Sequence, residues 1–125
     1  MAYSLGLTLY NLSNRREAGA VVDRPLRPAG PLAWLHAPTA EAARSMLELA
    51  RRLTEEDGVS VVMTCPAALP PRPGILHQQP PVDTPAEARA FLEYWRPEVA
   101  IFGEGELRPA ALHESVERKL PLLMV

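Results

Sequence analysis

Three glutamates follow closely on short apolar runs. Glu41 comes just after Leu32–Ala37, and Glu104 and Glu106 come just after Val99–Gly103. In a chain that alternates strands with helices, ligands bind at the carboxyl ends of the strands. Glu41 falls in the first turn of an expected helix, where acidic residues complement the helix dipole. The same place suits a general base, because a positioned carboxylate can take the proton of an attacking hydroxyl. Both readings fit Glu41. Glu104 and Glu106 flank Gly105, and first-turn acidity explains them as well. Paired carboxylates at a strand end are also suited to gripping sugar hydroxyls. No third acidic or histidine ligand lies near them in sequence, which argues against a cation site.

Other reactive side chains read as structural. His36 ends the first apolar run, where burial with hydrogen bonds accounts for it. His77 and His113 read as surface residues, and the 3 histidines share no metal-ligand spacing. Cys65 is the single cysteine, which excludes an intrachain disulfide and a cysteine-rich zinc site. With no base beside it in sequence it reads as a structural thiol, and it fits a reducing, cytosolic setting. Gly103 and Gly105 do not make a dinucleotide-binding fingerprint. Trp34 and Trp95 read as core residues.

The elements that must position these residues are punctuated by 14 prolines. Ala18–Gly30 is rich in Pro, Arg and Gly and reads as an exposed linker. Leu32–Ala37 reads as a buried strand, and Thr39 as the N-cap of the helix after it. Ala42, Met46, Leu49 and Leu53 form one apolar stripe on that helix, and Gly58 is placed to end it. Val59–Thr64, β-branched and continuous, predicts a strand buried on both faces. Pro66–Gly74 holds too many prolines for regular structure, and Ile75–Gln79 fits a short third strand. Thr84-Pro85-Ala86-Glu87 predicts a capping box, with Ala88, Phe91, Leu92 and Trp95 facing the core up to Pro97. Val99–Gly103 predicts a fourth strand. Leu107–Leu120 predicts a third helix with Leu112, Val116 and Leu120 on one face, and Pro121–Val125 a fifth strand. The alternation predicts a Rossmann-like three-layer α/β/α domain around a parallel sheet. A domain that ends on such a strand is expected to continue.

Length and charge bound the function. A chain of 125 residues suits one compact domain, and 47% hydrophobic with 22% charged residues is ordinary globular composition. A net charge of −2 gives no global attraction to nucleic acid. No apolar stretch reaches the roughly 20 residues that span a bilayer. The apolar segment Tyr3–Leu12 is followed by Arg15 and Arg16, the reverse of a signal peptide's order. It fits an arm packed on the domain, an edge strand, or an interfacial anchor with its arginines at lipid headgroups.

From about Pro31 onward the chain resembles the N-terminal domain of 3-deoxy-D-manno-octulosonic acid (Kdo) transferases. That family has an apolar strand ending in Trp-x-His, then a loop with Ser-x-Gly-Glu opening a helix. Here the residues are Trp34-Leu-His36-Ala-Pro-Thr39-Ala-Glu41-Ala42. A later family pattern runs Arg-Pro, an apolar strand, then Glu-Thr-Glu-Leu-Trp-Pro-Asn. Here it reads Arg96-Pro97-Glu98 through Glu104-Gly-Glu106-Leu107-Arg108-Pro109-Ala110. Aligned without gaps from Trp34, the family's glutamate falls on Ala42 and its glycine on Glu41. One deletion in the loop brings Glu41 into register. The family's Trp and Asn are replaced by Arg108 and Ala110.

The resemblance implies the following. The fold is the N-terminal half of a two-domain GT-B glycosyltransferase, with residues 1–30 as arm and linker and residues 31–125 as the acceptor-side domain. The C-terminal donor domain lies outside this chain. The enzyme transfers Kdo from CMP-Kdo to a lipid A precursor in lipopolysaccharide biosynthesis, without metal or other cofactor. Glu41 would be the catalytic base, with His36, Thr39, Glu104 and Glu106 binding the acceptor. Arg15, Arg16, Arg24 and Arg27 would attract lipid phosphates at the cytoplasmic face of the inner membrane. This stretch alone would be inactive. Two other readings compete: a non-catalytic relative that binds a lipid or a protein, and an unrelated flavodoxin-like binding domain.

Overall fold

Leu32–His36 is buried along its whole length, so both faces of this strand must be covered. The computed structural model describes residues 25–106 and 108–125 and shows how this is done. Five strands, β1 (Leu32–His36), β2 (Ser60–Thr64), β3 (Ile75–Gln78), β4 (Val99–Phe102) and β5 (Leu122–Met124), form one sheet in the order β3-β2-β1-β4-β5. Every pairing is parallel. Among the described residues three helices accompany them: α1 (Ala40–Glu55), α2 (Pro85–Trp95) and α3 (Pro109–Glu117). The expected Rossmann-like α/β/α architecture is the one observed. Tyr3–Leu12, Arg15, Arg16 and Arg24 lie outside the described residues.

Side-chain alternation along the strands divides the core. Leu32, Trp34, Val62, Ala100 and Phe102 pack beneath α2 and α3. Ala33, Leu35, Val61, Met63 and Ile101 pack beneath α1. Trp34 anchors the first half, with its ring centroid 4.5 Å from Phe91 and 5.0 Å from Phe102. Both indoles are fully enclosed, and both N–H groups are satisfied, by Thr64 and by Gln78. Cys65 is buried and unpaired. At the β5 edge, Leu123, Met124 and Val125 are each more than half exposed.

Several local expectations need correction. α1 buries Ala43, Met46 and Ala50, with Ala42, Leu49 and Leu53 at the margins of the contact. Small residues at the centre let the helix approach the sheet, and the leucines fill its flanks. Thr84 caps α2 by accepting from the Glu87 N–H at 3.2 Å, but the Thr84 N–H goes to the Val82 carbonyl. Only half of the capping box is therefore built. α2 closes on Arg96, in left-handed conformation, one residue before Pro97.

α3 differs most. It starts at Pro109 and ends at Glu117, and it buries Ala111, Glu114 and Ser115 while Val116 is exposed. The most buried positions lie one residue back, about 100° around the helix, where small Ala111 and Ser115 meet the neighbouring elements. Leu112 and Leu120 are partly buried and pack against the same core, so of the expected stripe only Val116 is turned out. Its N-terminus has no cap from Arg108. Asp83, from the segment before α2, instead accepts from Ala110 N at 3.1 Å and Ala111 N at 3.0 Å. His77 is not a surface residue either: it is half-buried in β3, and its Nε2 lies 2.8 Å from the Cys65 carbonyl.

Candidate functional site

The chain leaves β1 toward β2 on one side, and β3–α2–β4 then returns it to the other side of β1. The carboxyl ends of β1 and β4 therefore form the topological switch point, where open α/β sheets bind ligands. Gly103 N–H donates to the His36 carbonyl at 2.8 Å and joins the two strand ends. A Cβ on Gly103 would meet Met46 Sδ at 3.0 Å and the His36 carbonyl at 3.4 Å. A side chain there would press on the end of Met46 and on the β1 loop, so glycine suits the close approach of α1 to the two strand ends.

A groove of about 490 Å³ opens at this point. Thr39, Glu41, Ala42, Ser45 and Met46 line it from the α1 side, and Gly103, Glu104 and Val125 from the strand ends. Thr39 caps α1 by accepting from Ala42 N at 3.0 Å, which fixes Glu41 in the first turn. Glu41 and Glu104 are exposed and face one concavity. Two carboxylates, a threonine and a serine there offer hydrogen-bond acceptors to a hydroxyl-rich ligand and one base to each proton released.

His36 and Glu106 form a separate pair. His36 is fully buried on the α2 and α3 side of the sheet end and does not line the groove, and neither does Glu106. Trp34 Nε1 donates to Thr64 Oγ1 at 2.9 Å, and Thr64 Oγ1 lies 2.8 Å from His36 Nδ1. His36 Nε2 lies 2.9 Å from Glu106 Oε1. A carboxylate only accepts, so these partners assign the proton to Nε2 and make Nδ1 the acceptor of the Thr64 hydroxyl. The donors then run in one direction, from Trp34 through Thr64 and His36 to Glu106. Burial holds the His36 pKa below its ordinary 6.5, against the opposing pull of the Glu106 hydrogen bond. The nearby Arg108 cation also lowers it.

Glu106 Oε2 faces Arg108 Nη1 at 3.4 Å, and Arg108 Nη2 donates to the Pro81 carbonyl. Arg108 is almost wholly buried, and its Nε has no hydrogen-bond partner among the described residues. In the sequence Arg108 shows only as a departure from a motif, and Thr64 and Ser45 carry no signal. Thr64 stands opposite His36 in the β1–β2 register, a relation that appears only once the strands are paired. Among the described residues, no group of three His, Cys, Asp or Glu side chains could hold a metal ion. Among them, too, no helix is long and apolar enough to cross a membrane.

Fold and groove together define a doubly wound α/β domain whose ligand end is the β1–β4 switch point. Residues 11–125 match the sequence model of the family described as 3-Deoxy-D-manno-octulosonic-acid transferase (kdotransferase), and the chain belongs to this family. The match starts well before Pro31 and takes in all of the Ala18–Gly30 segment read as a linker. The chain is 30% identical over 107 residues to a protein of Arabidopsis thaliana named "Probable 3-deoxy-D-manno-octulosonic acid transferase, mitochondrial". That similarity covers 78% of this chain and 24% of the relative, so the chain spans about a quarter of the relative's length. No solved structure matches.

Proposed function

We propose that this chain is the acceptor-side half of a GT-B Kdo transferase that transfers Kdo from CMP-Kdo to a lipid A precursor. The observation that carries the reading is the placement of Glu41 and Glu104 on one groove at the switch point, within a chain of this family. The Glu41 carboxylate takes the proton of an acceptor hydroxyl as its oxygen attacks the anomeric carbon of Kdo. The bond to CMP breaks, and CMP leaves with the electron pair. Thr39 and Glu104 orient the acceptor by hydrogen bonds. The donor is carried by a second Rossmann-like domain of a longer protein, and no metal takes part. The protein works in the cytoplasm, peripheral on the inner membrane.

The test is turnover of the full-length protein with CMP-Kdo and a lipid A precursor. Loss of a general base costs typically about 10²–10⁴-fold in rate. Glu41→Gln should lower kcat by that much with little change in KM, and Glu104→Gln should act mainly on KM. Unchanged turnover in Glu41→Gln rejects Glu41 as the base, whereas no turnover by the parent protein favours a non-catalytic binding module, the reading that the displaced glutamate of the motif supports.

A further inference from the structure

A second groove, of about 390 Å³, opens at the opposite end of the sheet. Its walls are the C-terminal ends of α2 and α3 and the segments leading into β4 and β5. Arg96, Arg118 and Lys119 line it against one carboxylate, Glu98. A chain of net charge −2 thus gathers three cations in one concavity. From Glu98 to Gly103 the chain runs along β4, about 17 Å at the rise of an extended strand. The two grooves are therefore distinct sites.

The backbone singles out two of the cations. Arg96 has φ 44° and Lys119 φ 58°, and they are the only non-glycine residues with positive φ among the described residues. After the last turn of a helix this conformation favours glycine, because a Cβ is strained there. Both strained positions carry a long cationic side chain, and both side chains line the same groove.

A cation near a helix C-terminus usually complements the dipole. At α2 that task belongs to Arg27, whose Nε donates to the Trp95 carbonyl at 2.6 Å and whose Nη2 donates to the Arg96 carbonyl at 3.3 Å. Arg118 is paired with Glu93 at 3.2 Å. The Arg96 and Lys119 side chains make no hydrogen bond or ion pair among the described residues.

We propose that this groove binds a phosphoryl group. A phosphoryl dianion has the charge to meet two free cations, and it has enough acceptor oxygens to engage a planar guanidinium and an ammonium together. The ligand is either a soluble phosphate ester or the headgroup of an anionic lipid.

The test uses the full-length protein at physiological salt, with Arg96→Gly/Lys119→Gly as the variant. Inorganic pyrophosphate is titrated by calorimetry, and co-flotation is measured with vesicles of phosphatidylcholine alone and with added phosphatidylglycerol. The parent should bind at least one phosphate probe, and the variant should bind it at least tenfold more weakly. Its melting temperature should hold or rise, because glycine relaxes both strained positions. Pyrophosphate binding alone assigns a soluble ligand; capture by the phosphatidylglycerol vesicles assigns a headgroup. Equal binding by parent and variant, binding of neither probe by the parent, or equal flotation on neutral vesicles without pyrophosphate binding would overturn the proposal. Neither readout needs turnover, so the result stands apart from the fate of the transferase reading.

Discussion

Replacing Thr64 separates hydrogen bonding from packing at the base of the His36–Glu106 pair. Thr64→Val keeps the side-chain volume but removes the hydroxyl. Trp34 Nε1 then loses its acceptor and His36 Nδ1 its donor, both in fully buried surroundings. Each buried polar group left unpaired costs about 1–3 kcal/mol. The gain from burying an apolar methyl in place of a hydroxyl is about 1 kcal/mol. The two groups together cost about 2–6 kcal/mol, so the net loss is about 1–5 kcal/mol, centred at about 3 kcal/mol. Thr64→Ser keeps the hydroxyl and loses one buried methyl group, which costs about 1 kcal/mol. The valine variant should thus be the less stable, although valine is the better strand residue. Hydrogen exchange of the β1 and β2 amides in the full-length protein measures the difference as a local opening free energy. Opening that is no easier in Thr64→Val than in Thr64→Ser would refute the directional chain of donors from Trp34 to Glu106.

Acid stability tests the same histidine. His36 is held below its ordinary 6.5, so as pH falls below 6.5 the unfolded chain takes up a proton before the folded one. The stability contribution is complete above pH 6.5 and is lost as pH falls toward the folded-state value. In His36→Gln the acid limb of a melting-temperature profile should flatten, and an unaltered limb would contradict the assignment. Asp83→Ala removes both side-chain bonds to the start of α3, at a cost of about 1 kcal/mol. Faster exchange of the Ala110 and Ala111 amides should accompany it, and unchanged exchange would show that α3 does not depend on this cap.

The strand positions were legible because burial on both faces leaves no room for polar residues, so Leu32–Ala37 and Val59–Thr64 are apolar runs. The starts of α1 and α2 were legible because Thr39 and Thr84 cap through local contacts three residues long. The start of α3 was not, because its cap comes from Asp83, 27 residues earlier. The groove was half legible. Glu41 and Glu104 were found from their strand ends, and topology alone places them together. The tie between His36 and Glu106 spans 70 residues of sequence and arises from the β1–β4 neighbourhood, which no local pattern encodes.

The position of β1 between β2 and β4 has a consequence for biogenesis. β1 is the first described strand to leave the ribosome, yet one of its two neighbours, β4, begins 63 residues after β1 ends (99 − 36 = 63). At about 5–20 residues per second, that neighbour follows roughly 3–13 s later. Through this interval one backbone edge of β1 stays unpaired, and Trp34 lacks Phe102. Parallel pairing between distant segments is slow to form in any case. The yield of soluble protein should therefore depend on how well the nascent Leu32–His36 segment is shielded during synthesis, and less on the stability of the finished sheet.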